Sequence, residues 1–315
     1  MSLSGVRVLV TGGAGFIGHH LAAALVQRGA RVRVLDDLSS GRRARLESLS
    51  AQIELVVGSI TDPRAVDPAM QDVEIVFHQA AMVSVPQSMD RPLDYQHVNS
   101  TGTLTVLEAA RAAGVRRIVY AASSSAYGPQ QTMPLIETMR PMPISPYAAS
   151  KLSGEFHCAV YASAFARETV SLRYFNVFGP GQDPKSQYGA LIPTVATRML
   201  RGQRPLIYGD GEQTRDFCFV ANVVEANLLA AEAPKLSGEV LNIACGRRVS
   251  VNDVVRLTNR LLGTNIPGDL QPPRAGDVHD SLADVSRARA VIGYEPKMHF
   301  EEGLGRALEY YRTLV

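Results

Sequence analysis

The chain has 315 residues, of which 46% are hydrophobic and 20% are charged, and its formal net charge is +2. These values are typical of a globular protein with one large domain or two modest ones, and they indicate neither a nucleic-acid partner nor a membrane surface. The three cysteines are far apart and form no CxxC motif, so we expect no metal site and a reducing, cytoplasmic environment.

The first half of the chain alternates short apolar runs with longer amphipathic stretches. Strands are predicted at 6–11, 31–36, 53–57, 74–78 and 116–122, and helices at 16–28, 95–113 and 145–166. Strands that alternate with helices form parallel βαβ units. The pattern therefore predicts an α/β protein with a Rossmann-type, doubly wound parallel sheet.

After about residue 175 the predicted elements become shorter and the loops longer. Helices are predicted at 193–201, 222–233, 251–262 and 300–313, a strand and turn at 205–211, and loops at 179–189 and 271–278. This pattern is typical of a smaller α/β C-terminal substrate lobe that closes over the carboxyl ends of the sheet strands.

The first predicted strand runs directly into a glycine-rich turn that opens the first helix. Gly12 allows a sharp turn, Gly15 lets the backbone approach a pyrophosphate, and Gly18 lets the helix pack close to the sheet. The backbone N–H groups at the start of this helix would face the phosphates. The turn therefore predicts a dinucleotide site.

Asp36 ends the second predicted strand, where a carboxylate can accept hydrogen bonds from a ribose diol. A carboxylate there repels a 2′-phosphate, so NAD is favoured over NADP. Arg42 and Arg43 lie nearby and leave recognition of a 2′-phosphate as the alternative. We assign residues 1–178, with about 217–245, to an NAD-binding domain, and about 179–216 with 246–315 to the substrate lobe.

A predicted long helix carries Tyr147 and Lys151, which share one helix face at a spacing of i and i+4. A lysine ammonium beside a tyrosine is expected to lower the phenol's pKa, so that the phenolate can take a proton from a sugar hydroxyl. Ser123, at the end of a predicted central strand, would hydrogen-bond the same reacting hydroxyl. The alternative for Ser123, Ser124 and Ser125 is that they only cap the strand end.

Beyond these motifs, the chain resembles the UDP-sugar 4-epimerases of the extended short-chain dehydrogenase/reductase family nearly from end to end, and UDP-N-acetylglucosamine 4-epimerases most closely. The segments that carry the resemblance are the glycine turn, FHQAA at 77–81, NSTGT at 99–103, the Ser123, Tyr147 and Lys151 set, LRYFNVFGP at 172–180, GDG at 209–211, TRDF at 214–217 and RAGDV at 274–278.

The resemblance implies a tightly held NAD that is reduced and reoxidised within one turnover. Tyr147 would deprotonate the C4 hydroxyl while a hydride passes to NAD, and the 4-keto sugar would then rotate and accept the hydride on its other face. The implied NAD contacts are Gly12, Gly15, Phe16, Ile17, Gly18, Asp36, Asp37, Ser39, Gly41, Ser59, Ile60, Gln79, Ala80, Ala81, Asn99, Tyr147, Lys151 and Tyr174.

The same resemblance implies a UDP-sugar site. Arg215 and Arg274 would neutralise the diphosphate, because guanidinium groups match phosphate oxygens. Asn176 would hold a diphosphate oxygen or the sugar, and Asp277 the uridine ribose. The remaining implied substrate contacts are Ser84, Ser123, Ser125, Tyr147, Ala190, Leu191, Tyr208 and Ser281, of which Leu191 and Tyr208 would line the uracil pocket.

Two positions depart from the family's pattern. Ser59 stands where many relatives have an aspartate, so the contact to the adenine amino group passes to Ser59 or weakens. Val83 replaces a glycine that often precedes the serine at position 84 in relatives specialised for N-acetylated sugars, and it adds bulk beside Ser84.

Three features bear on the reaction and the substrate. Sugar-nucleotide 4,6-dehydratases carry an Asp-Glu pair where this chain has Ser124 and Ser125, so elimination of water is disfavoured. No additional arginine is evident for a C6 carboxylate, although the sequence leaves UDP-glucuronate open. Ser281 aligns with a position that faces the C2 substituent of the sugar, where a small residue admits an N-acetyl group and a tyrosine excludes it.

We therefore predict an NAD-dependent UDP-N-acetylglucosamine 4-epimerase with weaker activity on UDP-glucose. A UDP-glucose 4-epimerase is the alternative, a UDP-glucuronate 4-epimerase a weaker one, and a non-catalytic NAD-binding scaffold the contrasting class. By resemblance we also expect a homodimer, in which the helices at 95–113 and 145–166 pair with their copies as a four-helix bundle.

Overall fold

Seven parallel strands form the central sheet of the computed structural model, which describes residues 2–184, 191–272 and 280–315. Six shorter strands form three two-stranded ladders beside it. In chain order the strands are β1 (Arg7–Thr11), β2 (Arg31–Asp36), β3 (Ile53–Val57), β4 (Ile75–His78), β5 (Arg117–Ser123), β6 (Glu168–Tyr174), β7 (Val177–Phe178), β8 (Leu206–Tyr208), β9 (Thr214–Arg215), β10 (Cys218–Phe219), β11 (Glu239–Ile243), β12 (Val249–Ser250) and β13 (Asp269–Gln271).

The strand order in the central sheet is β3-β2-β1-β4-β5-β6-β11. The order reverses between β1 and β4, and ligands of open α/β sheets bind in the crevice at the carboxyl ends of the strands beside such a reversal. The Rossmann-type fold class predicted from the sequence is confirmed. Thr11 and His78, the last residues of the two strands at the reversal, lie side by side in register.

Helices cover both faces of this sheet. In chain order the helices are α1 (Phe16–Gln27), α2 (Pro63–Ala69), α3 (Val85–Asp90), α4 (Pro92–Tyr95), α5 (Gly102–Ala112), α6 (Pro146–Phe165), α7 (Leu191–Leu200), α8 (Val220–Glu232), α9 (Val251–Leu262), α10 (Ser286–Ile292) and α11 (Phe300–Arg312). Leucine and valine side chains of α1 and α8 fill the core on one face of the sheet, and apolar side chains of α2 and α5 fill the core on the other, together with Cys158 and Tyr161 of α6.

A third core lies in the C-terminal part of the chain, between α7, α9 and α11. Beside it, a parallel ladder of two residue pairs joins β10 to β7, which begins three residues after the last residue of β6. The division into an NAD-binding domain and a substrate lobe at the boundaries given above stays a proposal, and all seven strands of the central sheet fall within the residues assigned to the first domain.

Helix α6 carries clear start and stop signals. Ser145 accepts a hydrogen bond from the N–H of Ala148 at 3.2 Å, Pro146 occupies the first helical position, and Ala166 ends the helix in a left-handed conformation with φ of 52°. A serine cap followed by proline is the preferred way to begin a helix. The predicted helix therefore forms, and its first turn is anchored at the sheet's carboxyl edge.

The structure differs from the predicted elements in several places. The predicted helix at 95–113 is divided, because α4 ends at Tyr95 and a π-helical turn, Gln96–Thr101, precedes α5. Strands β6 and β11 complete the sheet and were not predicted. Gln271, placed in a loop by the sequence, ends strand β13.

The helices in the described segments include none that is long and apolar enough to cross a membrane.

Candidate active site

The glycine-rich turn packs tightly against the end of β4. Gly12 has φ of +69°, and a Cβ on it would lie 2.7 Å from the backbone N and Cα of Ala80. Gly15 caps α1 without a side-chain hydrogen bond, and the first turn of α1 contains no acidic residue. The N–H groups at the start of α1 and their positive dipole end therefore face an anion with no competing side chain. This backbone fits a dinucleotide pyrophosphate.

Asp36 is buried at the end of β2, where its carboxylate also shapes the turn. It accepts hydrogen bonds from the N–H groups of Ala14 at 2.9 Å and Leu38 at 2.8 Å, and burial raises its pKa. A carboxylate has about four acceptor positions, so acceptor capacity remains for a ribose diol. Arg42 forms an ion pair with Asp183, so one of the two arginines suggested for a 2′-phosphate already has a carboxylate partner.

Gln79 and Tyr174, both predicted NAD contacts, form one hydrogen-bonded group with Asn227 of α8. The Gln79 amide donates to the Tyr174 hydroxyl at 3.1 Å and to Asn227 Oδ1 at 3.1 Å, and Asn227 Nδ2 donates to the Tyr174 hydroxyl at 2.8 Å. Burial raises the pKa of Tyr174 to about 12, so its hydroxyl stays protonated at neutral pH. The group joins the ends of β4 and β6 to α8.

The other predicted NAD contacts line the same edge with different exposure. Asp37 accepts two hydrogen bonds from the exposed Ser39, while the Ser59 hydroxyl is bonded to Thr61 at 2.9 Å. Near these residues, Gly41 packs beside Asp36. The remaining members are buried or half-buried around the turn and the ends of β3 and β4: Phe16, Ile17, Gly18, Ile60, Ala80 and Ala81.

Asn99 is buried in the π-helical turn, and all its amide hydrogen bonds go to the protein. Its Nδ2 donates to the carbonyl of Met82 at 2.9 Å and to Ser150 Oγ at 3.0 Å, and its Oδ1 accepts from the N–H of Met82 at 2.8 Å. Asn99 therefore fixes the chain that follows β4 to the catalytic helix α6.

Ser123 and Tyr147 are brought together at the sheet's carboxyl edge. A side-chain hydrogen bond joins them, and Ser123 Oγ accepts from both the N–H of Ser125 at 3.2 Å and the Ser125 hydroxyl at 2.9 Å. Because Ser125 fills the acceptor positions of Ser123 Oγ, the Ser123 proton is directed towards Tyr147. Ser125, predicted as a substrate contact, thus supports Ser123.

The expectation that Lys151 sets the pKa of Tyr147 is wrong for this structure. Desolvation raises the Tyr147 pKa, and the hydrogen bond from Ser123 opposes that rise. Lys151 is itself buried, with Nζ 4.4 Å from the centroid of the Tyr120 ring, and burial lowers its pKa to about 7. The lysine is therefore only about half protonated at neutral pH, which weakens its effect on the phenol.

Ser84 lies at the start of α3, where its side chain accepts a hydrogen bond from the N–H of Gln87 at 3.2 Å. Val83 points away from it into solvent, with 70% of its surface exposed. The added bulk at position 83 therefore does not press on Ser84.

Ser281 and Asn176 meet beside Asp216. Asn176 Nδ2 donates to Ser281 Oγ at 3.1 Å, and Asn176 holds a left-handed φ of 32°, which costs energy for a residue other than glycine. The Asp216 carboxylate accepts from the N–H groups of Cys245 at 2.9 Å and Ala283 at 3.1 Å. The small side chain at 281 is thus held against a predicted substrate contact.

The remaining predicted substrate contacts are spread over the lobe. Leu191 begins α7, Tyr208 ends β8, and Arg215 ends β9, where its guanidinium donates to the carbonyl of Thr214 at 2.9 Å. The predictions at Ala190, Arg274 and Asp277 lie outside the described residues.

Asp216 and Asn227 belong to the site's framework and were not predicted individually. Asp216 lies in the TRDF segment, in which only Arg215 received a role, and Asn227 lies in an apolar helix. A buried polar residue within an apolar helix needs a partner, so Asn227 carried a usable signal. In the described segments, no group of three or more His, Cys, Asp or Glu side chains has the arrangement of a metal site.

Comparison with known proteins gives a consistent result. The family model described as the NAD-dependent epimerase/dehydratase family matches residues 8–244. A UDP-glucose 4-epimerase of Mycolicibacterium smegmatis is 37% identical over 312 residues, which cover 98% of this chain and 99% of that protein.

Two solved structures share the whole fold. The UDP-N-acetylglucosamine 4-epimerase of Methanobrevibacter ruminantium, in complex with UDP-N-acetylmuramic acid, superposes with a TM-score of 0.95 at 35% identity and covers 99% of this chain and 100% of its own. The UDP-glucose 4-epimerase of Thermus thermophilus, in complex with NAD, has a TM-score of 0.90 at 34% identity, with 98% and 100% covered. The similarity thus extends to enzymes named for either sugar.

Proposed function

This chain belongs to the NAD-dependent epimerase/dehydratase family, and from that membership we propose that it is a UDP-sugar 4-epimerase whose preferred pair is UDP-N-acetylglucosamine and UDP-N-acetylgalactosamine. NAD is its cofactor. The observation that carries the choice of sugar is Ser281, a small side chain hydrogen-bonded to Asn176.

In this proposal the chain's own residues handle the proton at C4. Tyr147 takes the proton of the C4 hydroxyl, and Ser123 orients that hydroxyl because its own acceptor positions are filled by Ser125. Bound NAD supplies the oxidising and then the reducing power, by taking a hydride from C4 and returning it to the opposite face. When the keto group is reduced, Tyr147 returns the proton to the C4 oxygen.

The residues beside Ser123 support simple epimerisation over dehydration. Elimination of water across C5 and C6 needs an acid and a base near those carbons. Ser124 and Ser125 offer only hydroxyl groups, and the hydroxyl of Ser125 is used to hold Ser123. These two residues therefore supply neither the acid nor the base that elimination needs, which favours reduction of the keto sugar at C4.

The preference for the acetylated sugars follows from the size of residue 281. Ser281 Oγ accepts a hydrogen bond from Asn176 Nδ2 at 3.1 Å, which holds this short side chain beside a predicted substrate contact. A small residue admits an N-acetyl group but does not exclude a C2 hydroxyl, and such steric discrimination is worth only about 1–3 kcal/mol. We therefore expect weaker but measurable activity on UDP-glucose and UDP-galactose.

The test compares initial rates on UDP-N-acetylglucosamine, UDP-glucose and UDP-glucuronate, with the C4 epimers identified by NMR. We expect the largest kcat/KM for the acetylated sugar. A larger value for UDP-glucose would favour the main alternative, a UDP-glucose 4-epimerase. A larger value for UDP-glucuronate would favour the weaker alternative, a UDP-glucuronate 4-epimerase.

Ser281→Tyr tests the size argument directly. We expect it to lower kcat/KM for UDP-N-acetylglucosamine by roughly 10- to 200-fold, with a much smaller change for UDP-glucose. Ser281→Ala is the matched control, because it removes the hydrogen bond from Asn176 but stays small, and should keep the preference. Equal losses on both sugars in Ser281→Tyr would contradict a role for size at this position.

We also propose that two copies associate through α3, α4, α5 and α6. Seven large apolar side chains are exposed on these helices in the single chain: Val85, Met89, Leu93, Leu104, Phe156, Val160 and Phe165. Exposed apolar surface on adjoining helices is typical of a subunit interface. In each copy, helix α6, which carries Tyr147 and Lys151, would then pack against the partner subunit.

A further inference from the structure

His78 is buried at the point where the strand order of the sheet reverses, and the proposed mechanism assigns it no role. Its Nδ1 lies 2.7 Å from Thr11 Oγ1 on β1, and its Nε2 lies 2.9 Å from Thr103 Oγ1 on α5. Each ring nitrogen therefore has one hydroxyl partner, and the two partners belong to different elements.

The two ends of this chain of hydrogen bonds have fixed polarity, because both are backbone groups. The N–H of Ala80 can only donate, and it donates to Thr11 Oγ1 at 3.2 Å, which leaves the Thr11 hydroxyl able to donate its proton to His78 Nδ1. The carbonyl of Asn99 can only accept, and it takes the Thr103 proton at 2.6 Å, so Thr103 Oγ1 is left to accept from His78 Nε2. The Thr103 end therefore requires a proton on Nε2, and the Thr11 end fits the neutral ring in which Nδ1 accepts.

The charge balance around the ring favours the same neutral form. His78 and Lys151 both lie close to the ring of Tyr120: the His78 and Tyr120 ring centroids are 5.6 Å apart, and Lys151 Nζ is 4.4 Å from the Tyr120 centroid. Burial, and then the charge of Lys151, lower the His78 pKa to about 3. A charged His78 would in turn repel the Lys151 ammonium.

The contacts of His78 extend to the glycine turn on one side and to helix α6 on the other. On one side, Ala80 packs against Gly12 of the glycine turn. On the other, Asn99 bonds to Ser150, whose hydroxyl donates to the carbonyl of Tyr147 at 2.8 Å. His78 thus stands between the NAD-binding turn and the catalytic helix.

We propose that His78, as the neutral Nε2–H tautomer, is a positioning residue that holds the NAD-binding turn and the Tyr147-bearing helix in register through Thr11 and Thr103. The kinetic part of this inference rests on the proposed epimerase function, whereas the tautomer itself does not. A measurement on the wild-type protein can therefore overturn it independently of any activity.

That measurement is the ¹⁵N NMR spectrum of the histidine rings in the NAD-bound enzyme, with His78 assigned by its loss in a variant. The expected result is a neutral ring protonated at Nε2, unchanged between pH 5 and pH 9. A ring protonated at Nδ1, or one that titrates in this range, would overturn the proposal whatever the substrate is.

Two substitutions test the hydrogen bonds of His78 to Thr11 and to Thr103 separately. In His78→Asn the amide oxygen stands near the position of Nδ1 and can still accept from Thr11, whereas in His78→Gln the amide nitrogen stands near Nε2 and can still donate to Thr103. We expect His78→Asn to keep NAD content while kcat falls at least about tenfold, and His78→Gln to lose NAD at least about tenfold more readily while kcat at saturating NAD falls less.

A purely structural role would lower NAD retention and kcat in the same proportion in both variants, and that outcome would contradict the proposal. Thr103→Val should reproduce the kinetic effect of His78→Asn. Its matched control is Thr105→Val, which removes the same kind of bond, from a threonine to the carbonyl four residues earlier, at 3.1 Å on the outer side of α5. Rates are taken on whichever UDP-sugar the enzyme turns over fastest.

Discussion

At the scale of single residues, the catalytic group owes its arrangement to buried neighbours that do not touch the substrate. Ser125 directs the Ser123 proton, and Asn99 holds Ser150, which bonds the backbone of Tyr147. Burial raises the Tyr147 pKa and lowers that of Lys151. The two pKa values, which ordinarily both lie near 10, therefore move apart, and in the folded protein the phenol holds its proton more strongly than the ammonium does.

Tyr147→Phe should remove the proton transfer and leave the site otherwise unchanged. We expect kcat to fall by about 10²- to 10⁴-fold, the usual contribution of a general acid–base group, while UDP-sugar affinity by calorimetry changes little. Tyr161→Phe is the matched control, because Tyr161 lies on the same helix and its hydroxyl bonds to Glu108 away from the site. A Tyr147→Phe enzyme with near-normal kcat would exclude Tyr147 as the proton acceptor.

The pKa of Lys151 predicts how stability depends on pH. Its ordinary pKa is 10.5 and burial lowers it to about 7 in the folded protein. Between these values the unfolded chain binds the proton and the folded chain does not, so stability rises with pH from about 7 to about 10. We expect the wild type to gain about 2 kcal/mol relative to Lys151→Met between pH 7 and pH 9.

Urea unfolding at the two pH values, with NAD at one fixed concentration, measures this difference. The comparison with Lys151→Met cancels the titration of other groups. An equal change in both proteins would mean that Lys151 keeps its ordinary pKa when buried.

At the scale of elements, the sequence predicted the strands and helices that show a regular apolar pattern or that are bounded by glycines. The strands up to β5, the glycine turn and helices α1, α6, α9 and α11 form within a residue or two of their predicted bounds. Strand β6 was not predicted because Glu168–Tyr174 mixes polar and apolar residues although almost all are buried, which gives no clear alternation. The π-helical turn was missed because a helical pattern cannot show where one extra residue is inserted.

The residues of the candidate site likewise divide into those that the sequence identified and those that it did not. Residues that belong to local motifs, such as Gly12, Tyr147 and Lys151, were identifiable from spacing. Partners distant in sequence were not, because Asn227 and Gln79 meet only after the sheet is assembled, 148 residues apart. The failed expectation for the Tyr147 pKa has the same cause, since desolvation depends on packing that spacing does not reveal.

The contact between α6 and the sheet depends on Gly154, which yields a test at this scale. A Cβ on Gly154 would overlap the hydroxyl of Tyr120, whose ring lies close to both His78 and Lys151. Gly154→Ala should therefore push α6 outwards, lower the free energy of unfolding by about 1–3 kcal/mol and reduce kcat.

Gly305→Ala is the matched control, because Gly305 lies within helix α11 and a Cβ there meets no atom within 4 Å. It should stabilise the protein by up to about 1 kcal/mol and leave kcat unchanged. Urea unfolding measures the stability of the two variants, and initial rates measure their kcat. If both substitutions stabilised the protein, the close packing at Gly154 would not constrain α6.

At the scale of the whole molecule, the catalytic helix has one face on the sheet and another that the single chain leaves exposed. Phe156 and Val160 of α6 expose 58% and 51% of their surface, and Met89 and Leu93 lie on the adjoining α3 and α4. Burying apolar area of this kind contributes about 25 cal/mol per Å². An interface here would stabilise the helix that carries Tyr147, so association and catalysis should be coupled.

Val160→Asp tests that coupling, because a carboxylate in an apolar interface has no partner and its desolvation opposes association. We expect the wild type to sediment as a dimer and Val160→Asp as a folded monomer with reduced kcat and weaker NAD retention. Leu270→Asp is the matched control, because Leu270 is 65% exposed on β13 in the C-terminal part of the chain. This substitution should leave both the mass and the rate unchanged.

If Val160→Asp remained a dimer, the face formed by α3 to α6 would not be the interface. If it became a monomer with full activity, the partner would not be needed to hold α6, and the coupling between association and catalysis would be excluded.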